Sequence, residues 1–253
     1  MTNLIEAGAP ATWQGLEAAA ARILAECGYE VEVQKNVPLA RGDVTVDVWA
    51  DEHTSPPNVI AVECKYWSTP VTKNVVHGFR TVVTDSGVNL GIVMSSGGFQ
   101  DGAVEAAAYS NVRLASWTEF QGIFVERWHR CHMAPALSAE AGSLVEYTEP
   151  INSRIARKAA VLDPERRARF EELRTNYLGL AWGTVPFYLD APGLTDAPAI
   201  PDLPLRDSVT EAMASVFPDA ALDAVAERPL LEALADAYRA AIAEFDVIFG
   251  ARA

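Results

Sequence analysis

Cysteine is scarce in this chain: Cys27, Cys64 and Cys131 are the only three, odd in number and far apart. Such a set supplies no disulfide framework and suits reduced, mostly buried thiols in a cytoplasmic protein. Long apolar runs are missing as well. No stretch of about 18 apolar residues, the length a membrane-crossing helix needs, is free of charges or turn formers, so no membrane span is expected. The first ten residues, MTNLIEAGAP, lack the basic start and apolar core of a signal peptide, and none is expected. Positive charge is in deficit: 20 Lys and Arg face 34 Asp and Glu, a formal net charge of −14. That balance argues against broad, non-specific attraction to nucleic acid. A local basic strip can still outweigh the global sign within a Debye length of about 8–10 Å, so any DNA binding is expected to be salt-sensitive or partner-dependent. Zinc ligation is poorly served too. His129, Cys131 and His132 lack the second ligand pair of a structural zinc site and read as the polar end of a helix.

What is present is a globular composition, 50% hydrophobic and 21% charged, over 253 residues, enough for one large domain or two moderate ones. Leu16, Ala19, Ala20, Ile23 and Leu24 recur at helical spacing, which predicts a first helix from about Thr12 to Cys27 with Gly28 as its stop. Tyr29 to Val33 alternates as a strand, and a loop through Pro38 to Gly42 is expected after it. Val44, Val46 and Val48 alternate with Thr45, Asp47 and Trp49, the period of a half-buried strand. A third strand runs through Ile60 to Tyr66. A second helix carries Val75, Val76, Phe79, Val82 and Val83, and Leu90 to Met94 is a continuous apolar run, as in a strand buried on both faces. A third helix, Gln100 to Tyr109, and a short strand, Val112 to Ala115, complete the order α-β-β-β-α-β-α-β. That order suggests a mixed sheet with helices on both sides.

The chemistry is concentrated in the second and third strands. Glu63 and Lys65 lie on one face, about 7 Å apart along a strand that rises about 3.3 Å per residue. If the two strands pair as a hairpin, Asp47 can sit opposite them. Two carboxylates and an ammonium on one sheet face are costly unless a cation shares the site. The arrangement points to metal-assisted hydrolysis, with an ordinary surface ion cluster as the plain alternative.

Several strings carry a family resemblance: Trp13-Gln-Gly-Leu-Glu17, Gly28-Tyr29-Glu-Val31, Gly42-Asp-Val-Thr-Val-Asp47-Val, Val62-Glu63-Cys64-Lys65-Tyr66-Trp67 and Gly98-Phe99-Gln-Asp-Gly-Ala103. In this order they resemble the Mrr-type branch of the restriction-endonuclease-like, PD-(D/E)XK nucleases, over most of the first 130 residues. Asp47 matches the isolated acid of that motif, Glu63 and Lys65 match its E-x-K half, and Glu17 matches the acid often found on the first helix. The usual Pro before the Asp is replaced by Val46. The resemblance implies a restriction-endonuclease-like mixed central sheet flanked by helices and a Mg²⁺-dependent endonuclease acting on DNA, with Mn²⁺ as a substitute ion. It further implies a role in restricting foreign DNA or in antiphage defence. Asp47 and Glu63 would hold the ion, with the backbone carbonyl of Cys64 as a third ligand. Hard oxygen donors suit Mg²⁺, which takes only one or two carboxylates and keeps several waters. Lys65 would orient the attacking water or stabilise the transition state. Glu17 would bind a second ion or hold Lys65.

Lys35, Arg41, Lys73 and Arg80 are candidate phosphate contacts, each with an ordinary surface charge as its alternative. Gly97-Gly98 reads either as a phosphate cradle at the start of the third helix or as a simple strand-to-helix turn. The expected domains are a nuclease domain over residues 1–135 and a mainly helical region over residues 150–253, serving assembly or regulation. In the latter, Asp163-Pro164 divides a helical stretch over residues 154–178, and residues 183–206 hold five of the 15 prolines. Leu231, Leu234, Tyr238, Ile242, Phe245 and Phe249 form a stripe on a final helix. It is read as packing within its own domain or as a contact for a homodimer or a defence-system partner. Two other functions stay open: a nuclease of the same fold acting on repair junctions or RNA, and a non-catalytic binding or assembly module with a vestigial metal site.

Overall fold

Thr12 opens the first helix: its hydroxyl accepts the N–H of Gly15, and α1 runs Trp13–Glu26. The structure, a computed structural model, describes residues 4–40, 42–189 and 199–250, apart from the side chain of Ala212. After α1 come β1 (Glu30–Leu39), β2 (Gly42–Asp51), β3 (Val59–Lys65), α2 (Lys73–Ser86), β4 (Leu90–Ser95), α3 (Asp101–Ala107) and β5 (Val112–Ala115). This is the alternation expected from the sequence. The strands form one five-stranded mixed sheet in the order β1-β2-β3-β4-β5. The β1–β2 and β2–β3 pairs are antiparallel, and β3–β4 and β4–β5 are parallel. Parallel neighbours need a crossover, and α2 and α3 supply the two.

One strand is longer than its pattern suggests. β1 continues past Val33 to Leu39 and pairs with β2 as far as Leu39 opposite Gly42. The segment read as a loop through Pro38 is therefore the far half of a hairpin, with Gly42 at φ 112 in its turn. Pairing with β2 overrides the weak alternation of Gln34 to Pro38.

The core beneath α2 and α3 joins Val76, Phe79 and Val83, with Ala103 and Ala106, to Ala61, Val93 and Val112 of the sheet. At Gly91 the helix comes so close that an added Cβ would stand 2.6 Å from Val83 Cγ2 and 3.0 Å from Phe79 Cε1. α1 buries Leu16, Ala20, Ile23 and Leu24 and packs on β1, β2 and β3. The sheet is followed by α4 (Trp117–Trp128), closed at its start by a capping box between Ser116 and Glu119. Its last turn carries Arg127, which ties the unit together. The guanidinium donates to the Cys27 carbonyl at 2.8 Å and to Glu52 at 2.8 Å, and stacks 4.3 Å from the Tyr29 ring.

The chain divides into two units, residues 8–131 and residues 1–7 together with 132–253. The division falls inside a π-helical turn, His129–Met133. The first residues thus group with the C-terminal region and not with the nuclease domain expected over residues 1–135. The reason is visible at the start of the last helix. Its first N–H groups have no helical partner, and the Ala226 cap supplies no side-chain bond. The carbonyls of Leu4 and Ile5 accept from Glu227 and Arg228 N–H instead, and Glu6 pairs with Arg228 at 2.8 Å.

The second unit is helical: α5 (Ala134–Thr148), α6 (Ser153–Ala160), α7 (Pro164–Gly183), the short α8 (Leu205–Ser208), α9 (Glu211–Ala214) and α10 (Asp219–Leu222), and α11 (Glu227–Phe249). Asp163 caps α7 as its position before Pro164 predicts. The proline-rich approach falls partly on residues 190–198, outside the described residues. Leu231, Leu234, Tyr238 and Phe245 of the α11 stripe are buried within their own unit, where α11 packs against α5 and α7, and Ile242 and Phe249 are half-buried. Tyr147 stacks on Phe245 at 4.7 Å and Phe170 meets Phe249 edge-on at 5.4 Å. Among the described residues no helix is long and apolar enough to cross a membrane.

Candidate active site

Four charged side chains from three elements meet where the β2–β3 ladder ends. The last ladder pair is Val48 opposite Val62. Beyond it a side chain takes the place of a main-chain acceptor: Asp47 Oδ2 accepts the N–H of Cys64 at 2.7 Å. Glu63 and Lys65 follow on β3, and the Lys65 ammonium donates to Glu63 Oε1 while lying 5.5 Å from the Trp67 ring centroid. Both side chains are about one-fifth exposed, 20% for Glu63 and 19% for Lys65, so the pair is shielded yet open to a ligand. Glu17 is buried on α1.

The electrostatics show what the arrangement costs. Burial pushes the Glu63 carboxyl above the ordinary carboxylate range; its ion-paired hydrogen bond from Lys65 opposes the shift, and the nearby Asp47 and Glu17 charges add to it. Glu17 is also raised, first by burial, with Gln34 opposing and Asp47 adding. Three carboxylates share one ammonium, so the site carries surplus negative charge.

Gln34 is the residue that sequence reasoning missed. Its Nε2 donates to Glu17 Oε2 at 2.9 Å and to Asp47 Oδ1 at 3.2 Å. It stands on β1 opposite Asp47, between the ladder pairs Val33–Val48 and Lys35–Val46. Had β1 been extended to its true length, counting the hairpin register would have found it. Gln34 donates to Glu17 and Lys65 donates to Glu63, while the Lys65 charge also acts on Glu17, lowering its carboxyl against the effect of burial.

Behind the site, the Gly97-Gly98 turn locks the segment after Lys65. Ser96 N–H donates to the Lys65 carbonyl at 3.1 Å, and its hydroxyl donates to the Trp67 carbonyl at 2.9 Å. A Cβ at Gly97 would fall 2.6 Å from both the Trp67 and the Thr69 carbonyl oxygens. Gly97 N–H is bonded to Ser95 Oγ at 3.2 Å, so the turn reading accounts for these glycines.

Of the candidate phosphate contacts, Lys35 lies on β1, and Lys73 and Arg80 lie on α2. Lys35 pairs with Glu32 at 3.0 Å and lies over the Trp49 ring at 5.1 Å. Arg80 donates to the Ala106 carbonyl at 2.7 Å, closing the end of α3. Lys73 is exposed at the start of α2. Arg41 lies outside the described residues. His129 is buried in the π-helical turn and Cys131 is exposed. Among the described residues no group of three or more His, Cys, Asp or Glu is arranged as a ready metal cage. The donor set at the β2–β3 end nevertheless suits a hard divalent ion in kind. Its oxygens are carboxylates, its charge is in excess, and such an ion takes only one or two protein carboxylates.

A family model described as restriction endonuclease, the Mrr catalytic type, matches residues 9–124. That span covers nearly all of the unit formed by residues 8–131 and includes Glu17, Gln34, Asp47, Glu63 and Lys65. No curated protein matches. Among solved structures, the crystal structure of AF1548, a protein of unknown function, is similar at 17% identity and a TM-score of 0.37, over 64% of this chain and 96% of that one. At that score the likeness carries no argument.

Proposed function

We propose, from the premise that residues 9–124 belong to the Mrr-type restriction endonuclease family, that this protein is a Mg²⁺-dependent endonuclease hydrolysing DNA phosphodiester bonds. The observation that carries the reading is the meeting of Asp47, Glu63, Lys65 and Glu17 at one sheet end within the matched span. Asp47 and Glu63 would hold the ion, together with the Cys64 carbonyl. A bound divalent cation supplies an activated water and offsets charge on the phosphorane-like transition state. The rest falls to the chain. Cys64 N–H fixes the Asp47 carboxylate through Oδ2, and Gln34 donates to its Oδ1. Glu63 fixes the Lys65 ammonium, which then donates to a phosphate oxygen or orients the water. The Trp67 ring beside Lys65 limits the directions from which solvent reaches the ammonium. Glu17, buried one layer back, takes a second ion or steadies Asp47 through Gln34.

DNA is the proposed partner. Lys73 offers the freest of the described candidate contacts, which supports weak, salt-sensitive binding. The unpaired, buried thiols of Cys27 and Cys64 fit a cytoplasmic protein. Restriction of foreign DNA or antiphage defence is the role the family suggests. A homodimer or a defence partner would dock on parts of residues 150–253 other than the buried stripe residues Leu231, Leu234, Tyr238 and Phe245.

The test is incubation of the full chain with plasmid DNA, a branched DNA junction and RNA, each with EDTA, Mg²⁺ or Mn²⁺, beside Lys65→Ala. Cleavage of plasmid that needs the ion and falls at least about 100-fold in Lys65→Ala is expected, the scale of losing a transition-state charge contact. Preference for the junction or RNA reassigns the substrate. No cleavage of any of them, with intact folding, leaves the binding or assembly module.

A further inference from the structure

The residue that joins the two carboxylates is held in an unusual way. Gln34 has φ 56, one of three described non-glycine residues in the left-handed region, and it alone of them lies inside a strand. Side chains rarely adopt that conformation, and where a strand imposes it the strain marks a functional site more often than an accident. The consequence here is directional. The ladder is paired on either side of Gln34, at Val33–Val48 and Lys35–Val46, so the backbone turn re-aims one side chain without breaking the hairpin. Its single amide nitrogen reaches Glu17 Oε2 at 2.9 Å and Asp47 Oδ1 at 3.2 Å.

Those oxygens are specific. Asp47 Oδ2 accepts from the Cys64 main-chain N–H and Oδ1 accepts from Gln34, so an ion that takes Oδ1 shares that oxygen with the amide. An amide N–H₂ offers two donors, and two carboxylates accept both of them. We infer that Gln34 is a positioning residue that stands in for a cation: it bridges Glu17 and Asp47 when no ion is bound, and it competes with the ion for Asp47 Oδ1. The inference rests on the metal-dependent reading of this site. It makes Gln34 a setter of metal affinity, so that the site fills only at higher ion concentrations than its carboxylates alone would require.

A ligand that must displace an existing contact binds more weakly by the free energy of that contact. Losing one charge-assisted hydrogen bond corresponds to about tenfold in affinity. Mn²⁺ binding to the full chain, measured by isothermal titration calorimetry and by the loss of the free-ion electron paramagnetic resonance signal, is the test, with Gln34→Ala and Gln34→Gly. The glycine variant relieves the left-handed backbone, so it folds even where alanine does not. Both are expected to bind Mn²⁺ about tenfold more tightly than the parent and, without metal, to lose the Glu17–Asp47 bridge. A merely supportive role for Gln34 would leave affinity unchanged or weaken it, and either result overturns the inference while the parent's own binding upholds the metal site. A parent that binds no Mn²⁺ overturns the metal-dependent reading and this inference with it.

Discussion

Removing the Asp47 carboxylate should destabilise the metal-free protein, although it takes a charge out of a crowded acidic site. Asp47 Oδ2 accepts the Cys64 N–H at 2.7 Å, just beyond the last β2–β3 ladder pair, and Cys64 is buried. Asp47→Ala leaves that buried N–H without its acceptor. A hydrogen bond to a charged group contributes about 1.5–3 kcal/mol, and an orphaned buried donor costs about 1–3 kcal/mol. Relief of the repulsion by which the Asp47 charge raises the Glu63 and Glu17 carboxyl groups works the other way. We expect the hydrogen bond to win, with a net loss of about 1–2 kcal/mol and a Tm lower by about 2–8 °C at roughly 2–4 °C per kcal/mol. Asp47→Asn keeps a carbonyl oxygen for Cys64 and should stay within about 1 kcal/mol of the parent while losing cleavage. Calorimetry in EDTA near pH 7 measures the first quantity. Hydrogen exchange at the Cys64 amide measures the local one and should quicken about tenfold in the alanine variant. An alanine variant that melts at or above the parent, with Cys64 exchange unchanged, would refute the claim that this carboxylate anchors β3.

Two other perturbations have signs fixed by the structure. Glu63 is raised above its unfolded value, chiefly by burial, so the folded chain holds that proton more tightly than the unfolded one. Stability contributed at low pH is therefore lost as pH rises from about 4.3 through the raised folded value; Glu63→Gln in EDTA should melt above the parent at pH 7 and lose that advantage near pH 4, and a pH-independent difference would contradict the burial argument. At the far end of the unit, Arg127→Ala breaks the bonds to Glu52 and the Cys27 carbonyl and the stacking on Tyr29, for about 2–4 kcal/mol in urea unfolding. Arg127→Lys should recover only part, since an ammonium cannot make both bonds and stack.

Chemical type was readable where it coincided with period. Alternation placed Asp47 on one strand and Glu63 and Lys65 on one face of the next, and the continuous apolar run at Leu90 announced a strand buried in a parallel arrangement. Pairing that depends on distant chain was not readable. The far half of β1 alternates poorly and contains Pro38, yet five of its residues, Lys35 to Leu39, are in register with β2. Likewise nothing in residues 4–6 announces that their carbonyls and the Glu6 carboxylate complete the start of a helix more than 200 residues away.

Gln34 shows why the site was only partly legible. A left-handed residue is usually signalled by Gly or Asn, whose chemistry tolerates it. Glutamine gives no such signal, because its conformation is imposed from outside: the paired residues on both sides fix the strand, and two carboxylates from α1 and β2 hold the amide. The charged residues could be found because strand period and a short motif fix their places in the sequence. The residue that bridges two of them, Gln34, is constrained by geometry, and in this site geometry is a property of three elements that only the fold brings together.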